Sequence, residues 1–111
     1  MASASIAVLI PVGPALAEID RLRDTLASLN YFEPEIRLIV LIDDCLAPRD
    51  LKHLASVSAA QELVVLANPR MGRGNGWGSG LAAGVIHGLQ WLITNTDVSA
   101  VVRLDIDSLV I

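Results

Sequence analysis

Apolar residues follow two rhythms along this chain. In residues 5–12 (SIAVLIPV), 35–44 (EIRLIVLIDD), 62–67 (ELVVLA) and 99–107 (SAVVRLDID) they run almost unbroken and are rich in Val, Ile and Leu. Such runs belong to strands covered on both faces. Between the runs the spacing lengthens to three and four. Leu16, Ile19, Leu22, Leu26 and Leu29 fall on one face of residues 14–30, which predicts a helix closed by Asn30. Residues 48–60 open with Pro48 and put Leu51, Leu54 and Val57 on one face, predicting a second helix. Residues 80–93 (GLAAGVIHGLQWLI) predict a third.

The order βαβαβαβ calls for a Rossmann-like open parallel sheet, with right-handed crossovers and helices on both faces. In such sheets ligands sit beyond the carboxyl ends of the strands, where the strand order reverses. The four predicted strands deliver PVGP, DDC, a Gly-rich loop and DID to that edge.

Composition narrows the partners. At 111 residues the chain is a single domain, and 53% hydrophobic residues supply its core. A net charge of −4 argues against a general nucleic-acid binder, which needs a basic face. Cys45 is the only cysteine, so neither an internal disulfide nor a zinc framework can form. The opening MASASIAVLIPVG has no basic region before its apolar run, and no apolar stretch reaches the length of a membrane span. The expectation is a cytoplasmic protein with no transmembrane segment.

Chemistry concentrates in three places. The loop MGRGNGWGSGLAAG carries Gly72, Gly74, Gly76, Gly78 and Gly80 at alternate positions. Neither G-x-G-x-x-G nor G-x-x-x-x-G-K-[ST] can be laid on it, which disfavours an NAD enzyme and a P-loop ATPase. As bland structure it would be a flexible loop and a tight helix start. Arg70 and Arg73 favour a diphosphate instead, since guanidinium groups grip phosphate oxygens in pairs. The second place is LDIDS, where Asp105 and Asp107 flank Ile106. Alternate residues of an extended segment point the same way, so both carboxylates can face one hard cation such as Mg²⁺. The bland alternative is a solvated strand end. Asp43 and Asp44 form the third place, where one can cap the turn while the other accepts from a nucleobase.

Other residues carry less. His53 reads as a surface residue beside Lys52, and His87 has no second ligand at metal spacing. Cys45 sits next to carboxylates that disfavour a thiolate, so it is a poor nucleophile. Trp91 lies in an apolar helix and reads as core, whereas Trp77 in the loop could equally stack on a base or sugar.

Taken in order and spacing, IAVLIPVGPALAEIDRLRDTLASL, LIVLIDD, GRGNGWGSGLAAG and VVRLDIDS resemble the nucleotide-binding half of family-2-like glycosyltransferases with the GT-A fold, over almost the whole chain. The resemblance implies that residues 1–111 are a nucleotide-sugar-binding domain of the GT-A type. It implies a nucleobase held by Pro11, Val12 and Asp44, with Asp43 beside it, and Gly13 within the same nucleotide-sugar site. It implies ribose and a divalent metal, Mg²⁺ or Mn²⁺, held by the D-x-D element, with Asp105 and Asp107 on the metal and Ile106 between them. Arg70, Gly72, Arg73, Gly74, Asn75 and Gly76 would then line the nucleotide, with Arg73 as the basic residue near it.

The partners implied are a nucleotide-diphosphate sugar and an unknown acceptor. In that family the acceptor site, and the catalytic base of inverting members, follow the D-x-D element, so the base is expected beyond Ile111. The chain then reads as a fragment of a longer enzyme, truncated after D-x-D and inactive alone, with self-association expected through its open edge. Two other readings stand beside this one. A nucleotidyltransferase-like, Mg-dependent domain shares the sheet, and RMGRG is faintly similar to its signature, though it follows the third strand rather than the first. A non-catalytic α/β regulatory module is the third reading, and it lacks an acidic pair after the first strand.

Overall fold

A strand that is apolar on both faces has to be covered on both, and β1 (Ile6–Val12) is. Ala7 and Leu9 belong to one core cluster and Val8, Ile10 and Val12 to the other; none is more than 1% exposed. The computed structural model describes residues 5–45, 49–69 and 79–106. The order of elements is β1, α1 (Leu16–Phe32), β2 (Leu38–Asp43), a 3-10 turn at Lys52–Ser56, β3 (Glu62–Ala67), α2 (Ser79–Asn95) and β4 (Ala100–Arg103). The strands form one parallel sheet in the order β3-β2-β1-β4.

That order accounts for the two clusters. The chain steps from β1 to β2 to β3 in one direction, then crosses back to β4 on the far side of β1. With right-handed crossovers the first two connections cover one face and the third covers the other. Leu22, Leu26 and Leu29 of α1, with Leu51 and Leu54 around the 3-10 turn, pack on the face that holds Ile10. Leu92, Val85 and Leu89 of α2 pack on the face that holds Leu9. Each fully buried Leu contributes about 1.5–3 kcal/mol of transfer free energy.

α2 approaches the sheet closely where it has no side chains. A Cβ on Gly84 would stand 2.8 Å from Asn68 Nδ2 and 3.0 Å from Ile42 Cγ2. On Gly88 it would stand 2.6 Å from Leu9 Cδ1 and 2.9 Å from Ile42 Cδ1. Two glycines four residues apart thus let one helix face settle onto β1 and β2.

Three expectations are corrected. The second predicted helix is a 3-10 turn of five residues. Leu51 and Leu54, three apart, eclipse on a helix of three residues per turn and both become buried, while Ser56 and Ser58 in the same stretch compete with an α-helical backbone. Leu16 is 82% exposed, because it opens α1 only four positions past β1, at the edge of the sheet rather than over it. Asn30 does not close α1, which continues to Phe32; its Oδ1 accepts the Ala60 amide at 2.8 Å. Buried Gln61 donates to the carbonyls of Leu29 at 3.4 Å and Glu33 at 3.1 Å, which ties the end of α1 to the residue before β3.

β4 pairs with β1 alone among the described strands, so one of its edges is open. No helix among the described residues is long and apolar enough to cross a membrane.

Candidate functional site

The pairing register brings three strand ends level. Val12 is opposite Asp43, and Asp43 is opposite Ala67. The ladder then runs one step further, with the Asp44 amide donating to Val12 O and the Asn68 amide to Asp43 O, both at 2.9 Å. β4 stops at the level of Leu9, and the Leu104 amide extends it by donating to Leu9 O at 3.0 Å. Leu104, Asp105 and Ile106 carry the chain on toward the same edge.

Pro11, Val12, Gly13, Asp43 and Asp44 are therefore neighbours at the ends of β1 and β2. Pro11 and Asp43 are half-buried, whereas Val12, Gly13 and Asp44 are buried. Gly13 has the Glu18 carboxylate of the first turn of α1 lying against it, so that a Cβ there would meet Glu18 Cδ at 2.8 Å.

Asp43 has a partner that the sequence did not announce. Arg49 donates to its Oδ1 from Nε at 2.9 Å and from Nη2 at 2.7 Å, and the Cys45 amide adds a third bond at 3.2 Å. Arg49 Nη2 also donates to the Gly13 carbonyl at 2.7 Å. The two side chains are only 13% and 14% exposed, unlike an ordinary surface pair. Removing one partner of such a pair costs about 3–5 kcal/mol, because the other charge is left with little water. Arg49 Nη1 is buried and makes no hydrogen bond among the described residues.

Within the D-x-D segment, Ile106 and Asp105 point to opposite sides. Ile106 is 9% exposed and packs into the cluster under α1, and its carbonyl accepts Thr25 Oγ1 at 2.9 Å. Asp105 points the other way, with its side chain 70% exposed and Arg103 Nη2 3.3 Å from it. An exposed pair of that kind contributes about 0–1 kcal/mol and yields readily to a stronger cation. Among the described residues no group of three or more His, Cys, Asp or Glu is gathered for a metal.

Asp107 and the loop residues Arg70, Gly72, Arg73, Gly74, Asn75 and Gly76 lie outside the described residues, as does Trp77. Trp91 is half-buried against the cluster under α2, and His53 is exposed. Sequence reasoning missed Arg49, Glu18 and Asn68. Arg49 follows the acidic pair by only a few positions and is the first basic residue after it, a signal available but unused. Glu18 reads as an ordinary first-turn acid, and Asn68 before Pro69 reads as a turn.

A groove of about 410 Å³ lies between the end of α2 and the start of β4, lined by Leu89, Leu92, Ile93, Val98, Ala100 and Val101. It is at the opposite edge of the sheet from the acidic strand ends and takes no part in them. Comparisons with protein-family models, with curated proteins and with solved structures gave no match.

Proposed function

We propose that this chain is the nucleotide-diphosphate-sugar-binding domain of a metal-dependent glycosyltransferase of the family-2-like, GT-A kind. The observation that carries the reading is the reversal of strand order at β1, with Asp43 and Asp44 at the end of β2 on one side and Asp105 beyond β4 on the other. A ligand in that crevice has carboxylates at both flanks.

In this reading Pro11, Val12, Gly13 and Asp44 border the nucleobase, and the glycine loop with Arg70 and Arg73 takes the diphosphate. Asp105 fits a divalent ion: it offers hard oxygen donors, stands well exposed, and has only a weakly held arginine to exchange. With Asp107 it would hold Mg²⁺ or Mn²⁺, whose charge offsets that of the departing diphosphate. The sugar passes to an acceptor of unknown chemistry.

Isothermal titration calorimetry with UDP, GDP and ADP tests this. Binding of one of the three in Mn²⁺, lost in EDTA, supports the reading; equal binding with and without metal contradicts it.

A further inference from the structure

The register of the sheet stops holding β1 at Val12, opposite Asp43. Gly13 lies one residue beyond, at the most pliable residue type, and among the described residues no strand amide pairs with its carbonyl. One guanidinium pairs with it instead. Arg49 Nη2 reaches the Gly13 carbonyl at 2.7 Å and Asp43 Oδ1 at 2.7 Å, and Nε secures the same oxygen at 2.9 Å. Arg49 therefore ties the end of β1 to the end of β2.

We propose that Arg49 is a positioning residue of the nucleotide site: it fixes the Gly13 end of β1 against β2 before any ligand arrives, with Asp43 as its anchor rather than as a reader of the base. The proposal rests on the proposed function for the identity of the ligand, and on the geometry alone for the tie. Among the described residues the hydrogen bonds to the Asp43 side chain converge on Oδ1 and come from Arg49 and the Cys45 amide. A carboxylate oxygen with three donors is already committed. Lysine cannot substitute, because a compact ammonium lacks the planar fork that spans a carbonyl and a carboxylate at once. Nη1, buried and without an acceptor among the described residues, is consistent with a guanidinium held for this span.

The test has a part that needs no variant. In the wild-type protein, the Arg49 Nε proton should exchange with solvent at least about tenfold more slowly than those of exposed Arg21 and Arg37, as expected for a closed hydrogen bond. Exchange at the same rate as theirs would overturn the tie whether or not any variant folds.

In Arg49→Lys, amide exchange at Asp44 and Cys45 should rise about tenfold while that of Val40 stays the same. The Kd values of whichever of UDP, GDP and ADP the wild type binds with Mn²⁺ should rise together by about tenfold, the size typical of losing a supporting partner. Unchanged affinity in the folded variant would overturn the positioning role, and a loss confined to one base would make Arg49 a base-reading residue instead. If the wild type binds none of the three, the proposed function fails, while the exchange rates still decide the tie.

Discussion

Thr25 and Ile106 stand 81 positions apart and share a buried hydrogen bond of 2.9 Å, from the threonine hydroxyl to the isoleucine carbonyl. The hydroxyl also lies 3.1 Å from the Arg21 carbonyl one helical turn back, so its single proton is shared between them. The long-range bond sets where the D-x-D segment leaves the sheet. With Ile106 held inward, Asp105 must face outward.

Thr25→Val keeps the shape and removes the donor. The Ile106 carbonyl then lacks that partner, at about 1–3 kcal/mol, and each kcal/mol lowers Tm by about 4–8 °C in a domain near this size. The same substitution at exposed Thr94 should leave Tm nearly unchanged. Calorimetric melting of both variants checks this; equal Tm values would remove Thr25 from the account of how Asp105 is placed.

The close seat of α2 yields a second outcome. Gly88→Leu must push Leu9 and Ile42, both at most 1% exposed, out of their places. Overpacking of this kind costs about 1–3 kcal/mol. Urea unfolding should show a lower midpoint than for Gln90→Leu on the exposed side of the same helix. A midpoint at or above that of the wild type would mean that the helix is free to lift.

Legibility in the sequence followed physical scale. β1 and β2 were readable because both of their faces are buried along residues 7–10 and 38–42, so those positions had to be apolar. The face of α1 was readable from Leu22 to Leu29, where it covers the sheet, and failed at Leu16, where the helix begins at the edge. The stretch from Lys52 to Ser56 failed because three-residue and four-residue spacings cannot be told apart over so few apolar positions. Asp105 and Ile106 were legible as an alternation. Arg49 was legible only as the first basic residue after the acidic pair; its tie to Gly13 depends on two backbone ends meeting in space, which no local pattern records.

A pair of carboxyls between α1 and β2 gives a pH signature. Glu33 is held above its ordinary value of 4.5 by a hydrogen bond to Glu35 and by the charge of Glu35. Glu35 is held below 4.5 by the same hydrogen bond and by its own backbone amide. The raised group contributes stability that is full below its unfolded value and lost as pH climbs through its folded one; the lowered group contributes stability above its unfolded value that is lost as pH falls through its folded one. Carbon-13 carboxyl titration should find Glu33 above and Glu35 below the ordinary value. Glu33→Gln should abolish the part of the Tm gain on acidification that belongs to Glu33. Coincident titration of the two carboxyls would contradict the pairing.

Among the described residues β4 has an unpaired edge, with Val102 43% exposed, and Ile93 on the adjoining α2 is 81% exposed. Open edges beside apolar surface promote association. Light scattering should find mass rising with concentration, and Val102→Lys should reduce it. A monodisperse monomer at high concentration would contradict this expectation.

Thermal melting with UDP, GDP and ADP, each in Mn²⁺ and in EDTA, on the wild type and on Asp107→Asn, tests the central claim most directly. Binding to the native state alone stabilises it by about 2.7 kcal/mol at a ligand concentration of roughly 100 Kd. In a domain near this size that is a shift on the order of 10 °C. The account predicts such a shift for at least one nucleotide in Mn²⁺, most of it lost in EDTA and in Asp107→Asn. Equal shifts with and without metal, or no shift with any of the three in well-folded protein, would contradict it.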